Sequence, residues 1–221
     1  LLGFVGRLTE QKGLELMLPV LQQVLELPAQ LVLLGTGEPG YEREIERLAE
    51  ANSGAMAAVL AYNEAVAHRI EAGADIFLMP SLFEPCGLPQ MIGGIYGSLP
   101  VVHDTGGLHD TIRHLNAGSH TGNGFVFEIY GPDGLRWAID QAMNFYRQSP
   151  ETREAEIERI NTIIRQLLEI SRPSSSNRTA VSVHQLIHDT ASVIQVQPLM
   201  SNIQLVLELK AQDDTVLADS N

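Results

Sequence analysis

The sequence predicts an α/β protein: a parallel sheet with helices on both faces. Short apolar runs at residues 1–6, 31–34, 56–62, 76–79, 99–103 and 125–127 have the length of strands buried on both sides. Between them, apolar residues recur at helical spacing. Glycine-bearing polar loops follow the strands at 7–13, 35–37, 84–87 and 105–107. Strands alternating with helices in this way indicate a Rossmann-like parallel sheet, which binds ligands in loops at the C-terminal ends of its strands.

Residues 1–6 supply the first strand, and Leu14, Met17, Leu18, Leu21, Val24 and Leu25 mark the helix that follows. Pro19 falls inside that helix and is expected to bend it or reset its start. After the strand 31–34, an amphipathic helix over 38–51 places Tyr41, Ile45 and Leu48 on one face. The strand 56–62 leads into a short helix at 63–70. The fourth strand, 76–79, is broken by Pro80-Ser81. Glu84-Pro85-Cys86-Gly87 follows, then a helix with proline in its first turn at Leu88-Pro89-Gln90. The strand 99–103 ends in Thr105-Gly106-Gly107 and a short helix from Leu108. A strand at 125–127 precedes a helix from Asp133 to about Arg147, where Trp137 and Phe145, on one helix, are expected in the core.

The pattern changes near residue 160. Ile160, Ile164, Leu167 and Leu168 continue a helix begun at Glu151, with coiled-coil-like spacing. Residues 172–177, Arg-Pro-Ser-Ser-Ser-Asn, form a linker. Beyond it the pattern suggests a helix over 183–197, a strand over Ile203 to Leu209, and another at Val216-Leu217, with nothing to pair those strands. Two parts are therefore expected, 1–159 and 160–221.

With 44% apolar and 19% charged residues, the 221-residue chain can bury a sizeable core. Its net charge of −13 opposes nucleic acid or an anionic membrane as partners. The single cysteine, Cys86, rules out an internal disulfide and points to a reducing, cytoplasmic compartment. No apolar run approaches the ~18 residues of a membrane-spanning helix, and no basic-then-apolar leader is visible. The chain begins at Leu1 within a strand-like run, as expected of a fragment.

Several residues could carry chemistry. Arg7 and Lys12 share one strand-exit loop, and Lys12 is the only lysine before Lys210. Two cations there suit a diphosphate, or they are a solvated turn. Gly35 and Gly37 would let backbone approach a ligand, or serve only a turn. Glu84 is a ligand-binding carboxylate or a cap. The helix N-terminus near Gly87, Leu88 and Gln90 offers free N–H groups that suit phosphate. Cys86 reads as a small buried hydrophobe without an activating histidine, and His68 as structural. The seven histidines show no metal-ligand spacing.

Five stretches together resemble a known family: GFVGRLTEQKG (3–13), LLGTGEP (33–39), AYNEAVAHRI (61–70), PSLFEPCGLPQ (80–90) and YGSLPVVHDTGGLHDT (96–111). Their order and spacing are similar to those of bacterial glycogen synthase and plant starch synthase over roughly residues 1–159. The resemblance implies the C-terminal, donor-binding half of a two-domain GT-B glycosyltransferase. Such enzymes move glucose from ADP-glucose (or UDP-glucose) to an α-1,4-glucan with retention, using no metal or other cofactor. By that resemblance Arg7 and Lys12 would hold the diphosphate and stabilise the leaving nucleotide, and Glu84 would bind the glucose hydroxyls. Backbone around Cys86, Gly87, Leu88 and Gln90 would face phosphate or sugar. Gly35, Gly37, Thr105 and Gly106 would line the same cleft, with Tyr62 against the base. Leu82 stands where the family usually has arginine and Ala61 where glycine is common. The glucan acceptor would bind through an N-terminal domain that this sequence lacks, so the piece would be inactive by itself.

The tail resembles another family. Residues 156–176 are similar to the second dimerisation helix of a sensor histidine kinase, and 183–219 to the opening of its ATP-binding domain. A signalling protein carrying a sugar-nucleotide domain, or a chimera without selected function, are the competing expectations.

Overall fold

The computed structural model describes residues 1–171, 178–188, 206–211 and 213–219. The chain divides into two compact units, Leu1–Leu168 and Glu169–Asn221.

In the first unit, strand and helix alternate in the expected order. Strands β1 (Leu2–Val5), β2 (Leu31–Leu34), β3 (Met56–Val59), β4 (Ile76–Met79), β5 (Leu99–His103) and β6 (Phe125–Phe127) form one sheet in the order β3-β2-β1-β4-β5-β6. Every neighbouring pair is parallel; Leu2 lies opposite both Leu31 and Ile76. The chain builds outward from β1 through β2 to β3, then returns to place β4 on the other side of β1. The strand order therefore reverses between β1 and β4, where the loops of an open sheet diverge and leave a crevice.

Alternate residues of the strands feed two apolar layers. Ile76 and Leu78 face one layer with Leu31, Leu33, Leu99 and Val101. That layer is covered by α1 (Leu14–Val24), α2 (Pro39–Ala51) and α6 (Pro132–Tyr146). Phe77 and Met79 face the other layer with Leu34 and Val102, beneath α3 (Glu64–Gly73) and α5 (Gly106–Thr111). Burial on both faces is why these strands read as unbroken apolar runs.

Several expectations change. The helix α1 neither ends nor restarts at Pro19, which lies inside it. The third strand stops at Val59, so residues 60–62 belong to the loop that carries Tyr62. Phe145 is buried, but Trp137 is 48% exposed, because α6 turns that position away from the sheet. The coiled-coil spacing of α7 (Pro150–Ser171) serves the same core: Ile160 and Ile164 pack within the first unit. That helix runs unbroken through residues 159 and 160. Among the described residues, no helix is long and apolar enough to cross a membrane.

In the second unit, β7 (Arg178–Ser182) pairs antiparallel with β8 (Thr215–Asp219), with Ala180 opposite Leu217. The expected strand at Val216-Leu217 thus has a partner, which its own sequence gave no means of locating. Residues 183–188 are helical, capped by the Ser182 hydroxyl, which accepts from the Gln185 N–H at 3.1 Å. Residues 206–209 are not in a strand, and Val206, Leu207 and Leu209 are all exposed, so their alternation faces no core. The expected linker at 172–177, the remainder of the helix to 197 and residues 203–205 lie outside the described residues.

Candidate functional site

The loops after β1 and β4 meet over the point where strand order reverses. They are joined first by the Leu82 backbone N–H, which donates to the Gln11 backbone carbonyl at 3.0 Å, and by the Gln11 side-chain Nε2, which donates to the Phe83 carbonyl at 3.3 Å. On this frame Lys12 Nζ donates to Glu84 Oε2, forming an ion pair across the crevice. The Ser81 hydroxyl is 3.4 Å from the same carboxylate oxygen, and Glu84 is only 8% exposed. A carboxylate with so little water needs these donors. Arg7 is exposed and donates to Gln11 Oε1 at 3.2 Å, so both cations hang from one short loop.

The loop after β5 closes against the backbone of Glu84. The Gly107 N–H donates to the Glu84 carbonyl at 2.8 Å. Gly106 has φ +48, and a Cβ built there would lie 2.3 Å from that carbonyl oxygen. Only glycine lets the Thr105-Gly106-Gly107 loop seat there. Gly87, with φ +67, ends the β4 loop; Leu88 is 70% exposed, and α4 (Pro89–Tyr96) begins. Gln90 is 1% exposed beneath Gly87 and donates to Thr111 Oγ1 at 3.2 Å, while its Oε1 has no partner among the described residues. Cys86 is exposed, contrary to its reading as a buried hydrophobe, because the turn at Gly87 carries it outward.

A cleft of about 340 Å³ opens on the other side of Arg7, within the size range of small-molecule sites. Arg7, Gly35, Thr36, Tyr62, His68 and Glu71 are among its walls. Tyr62 is 88% exposed, so a large aromatic face is open to a ligand. Gly37 is different. A Cβ there would lie 2.3 Å from the Leu8 carbonyl oxygen, so this glycine admits the neighbouring β1 loop and does not line the cleft.

The sequence singled out Arg7, Lys12, Glu84 and the glycine loops, and the fold brings them to one edge of the sheet. Residues such as Gln11, Ser81, Thr36 and Glu71 escaped notice. Glu71 is buried, and burial pushes its carboxyl above the usual glutamate range, while a 3.1 Å hydrogen bond with His68 Nδ1 pulls the other way. The spacing of His68 and Glu71, one turn apart on a helix, was the available signal. His68 is thus a wall of the cleft as well as part of a helix.

A sequence profile described as "Glycosyl transferases group 1" matches residues 1–160. The glycogen synthase of Desulfitobacterium hafniense is 49% identical over 152 residues, which are 69% of this chain and 32% of that protein. The chain thus spans about a third of the length of the curated relatives it matches. Among solved structures, the catalytic domain of starch synthase IV from Arabidopsis thaliana, bound to ADP and acarbose, is similar with a TM-score of 0.68 and 34% identity. The match covers 76% of this chain and 37% of that one. The C-terminal domain of a group 1 glycosyl transferase from Francisella tularensis shares the fold, with a TM-score of 0.59 and 14% identity over 75% of this chain and 84% of that one. The profile ends at residue 160 and does not reach the tail.

Proposed function

The chain belongs to the glycosyl transferases group 1 family, and from its site we propose that it is the donor-binding part of a glycogen or starch synthase. Such an enzyme transfers glucose from ADP-glucose (or UDP-glucose) to an α-1,4-glucan with retention of configuration. The observation that carries the reading is the Lys12–Glu84 pair over the strand-order reversal, with Arg7 on the same loop. Its support from relatives is the glycogen synthase of D. hafniense and the ADP-bound starch synthase of A. thaliana.

In this reading the nucleoside enters the cleft beside Tyr62, and the diphosphate lies against Arg7 and Lys12. Two cations stabilise the negative charge that grows on the leaving phosphate as the glycosidic bond breaks. A phosphate would compete with Glu84 for Lys12. Glu84, released from part of that pairing, accepts hydrogen bonds from glucose hydroxyls. Backbone at Cys86, Gly87, Leu88 and Gln90, with Thr105 and Gly106, fences the sugar. The sheet forms one wall of the cleft, and the glucan acceptor would meet a second wall contributed by another domain. Closure of two walls positions the acceptor hydroxyl and excludes water. Residues 1–221 alone are therefore expected to bind donor without elongating a glucan. The lone cysteine supports a reducing, cytoplasmic setting.

Calorimetric titration tests this reading. ADP and ADP-glucose should both bind, and Arg7→Ala and Lys12→Ala should each cost about 1–3 kcal/mol with either ligand, as expected for lost charge-assisted bonds. Glu84→Ala should weaken ADP-glucose more than ADP. Equal losses for the two ligands at Glu84 would remove its sugar-binding role. A well-folded protein that binds neither ligand would end the donor-site reading.

A further inference from the structure

At the β5–β6 end of the sheet lies a second groove, of about 360 Å³, walled by Asp104, His109, Arg113, His114, Glu128 and Trp137. Trp137 is the only tryptophan in the chain and is 48% exposed on α6. The ring of His114 stacks on it, with centroids 5.2 Å apart and planes 26° apart. His114 is itself exposed, meets Phe125 edge-on, and accepts the Val126 N–H at its Nδ1 over 3.2 Å. A ring nitrogen that accepts a hydrogen bond carries no proton, so the neutral imidazole keeps its proton on Nε2 as a donor. The groove thus combines an ordered aromatic platform and the His114 Nε2 donor with the exposed Glu128 carboxylate, Asp104, whose Oδ1 is engaged by His109 Nδ1 at 2.7 Å, and the Arg113 guanidinium, one nitrogen of which donates to the His109 carbonyl.

This chemistry suits a neutral, polyhydroxylated ligand. The C–H-rich face of a hexose packs on the electron-rich face of an aromatic ring. Ring hydroxyls both donate and accept, and carboxylates beside an arginine offer both kinds of partner. Two carboxylates against one guanidinium disfavour an anionic ligand. The placement adds a second argument. Asp104 follows β5 and immediately precedes Thr105 and Gly106, and Glu128 follows β6, so the groove opens on the same edge of the sheet as the candidate donor loops.

We propose that the Trp137–His114 groove is a binding site for an α-glucan chain, separate from the donor cleft and holding polymer close to it. The choice of an α-glucan among neutral sugars rests on the reading of the donor site given above. The mixed lining, with an aromatic stack beside hydrogen-bonding groups of both kinds, is the feature that a chance surface depression would lack.

The sole tryptophan makes the test direct. Its emission should change saturably when the full chain is titrated with maltoheptaose and should not respond to ADP or to a β-linked cello-oligosaccharide. On native gels containing glycogen, Trp137→Leu should weaken retention about tenfold, the scale of one lost aromatic contact, with ADP binding by calorimetry unchanged. Glu128→Gln, at an exposed position outside the core, should weaken retention less and serves as the second variant. Unaltered emission with maltoheptaose, together with wild-type retention of both variants, would overturn the proposal. An equal response to the β-linked chain would overturn the α-glucan assignment, and a response to ADP would assign the groove to nucleotide. Maltoheptaose binding without ADP binding would leave this groove standing and remove the donor-site reading instead.

Discussion

Lys12 and Glu84 are 72 positions apart in sequence and meet as an ion pair over the central crevice of the sheet. The two partners are not equally dependent on each other. Lys12 has a side chain 21% exposed and can turn to water, whereas the Glu84 side chain is 11% exposed. Lys12→Ala should therefore destabilise the first unit by about 1–3 kcal/mol, the penalty of a buried acceptor deprived of its main donor. Glu84→Ala should cost less, and the double variant should resemble Glu84→Ala. Urea denaturation of all three measures the coupling. Additive losses would show that the pair contributes nothing by its pairing.

Gly106 should be the least replaceable residue of the β5 loop. A methyl group there lies against the Glu84 carbonyl oxygen at a backbone angle that L-residues rarely adopt. Gly106→Ala is expected to cost about 1–3 kcal/mol through backbone strain and to weaken ADP-glucose binding together with it. Unchanged melting and unchanged titration would show that the loop can move away freely.

A pH-dependent contribution is expected from Glu156, which is 1% exposed at the start of α7. Burial by itself would raise its pKa, but hydrogen bonds from His120 and Arg159, with their charges, outweigh burial and hold it below the usual glutamate range. Arg159 also donates to the Gly122 carbonyl at 2.6 Å, so the cluster ties α7 to the loop before β6. A depressed carboxyl stabilises the fold above its unfolded pKa, and the effect is lost as pH falls through the folded value. Glu156→Gln should cost about 1–3 kcal/mol at neutral pH, since Arg159 and His120 remain partly hydrated. Thermal melts should show wild type and variant converging as pH falls below the normal glutamate range near 4.5. A gap that stays constant into acid would contradict this.

Truncation should distinguish where the first unit ends. A chain ending after residue 168 keeps Ile160 and Ile164 in the core, and its melting should match that of the first unit in the full chain. One ending after residue 159 loses both, at about 2–5 kcal/mol for each buried isoleucine. Equal melting of the two pieces would show that this part of α7 is dispensable.

The sequence by itself determined the alternation of six strands with helices, because strands buried on both faces must be short, continuous and apolar. It also determined which loops hold the candidate site. Arg7, Lys12, Glu84 and Gly106 are conspicuous as isolated charges and glycines directly after apolar runs. The same local logic misplaced Trp137, since an aromatic residue at helical spacing does not say which way its helix is rotated. It misread Ile160 and Ile164 as a coiled-coil seam, since such spacing marks a buried stripe and not what covers it. It offered no partner for β8, because a strand pair is a long-range choice. Only the tertiary structure decided that the β1 and β4 loops adjoin, that Gly37 makes room for Leu8, and that His114 lies on Trp137. Each is a contact between residues distant in sequence, set by the reversal of strand order and the packing of helices on the sheet. Local spacing carries no information about such distances.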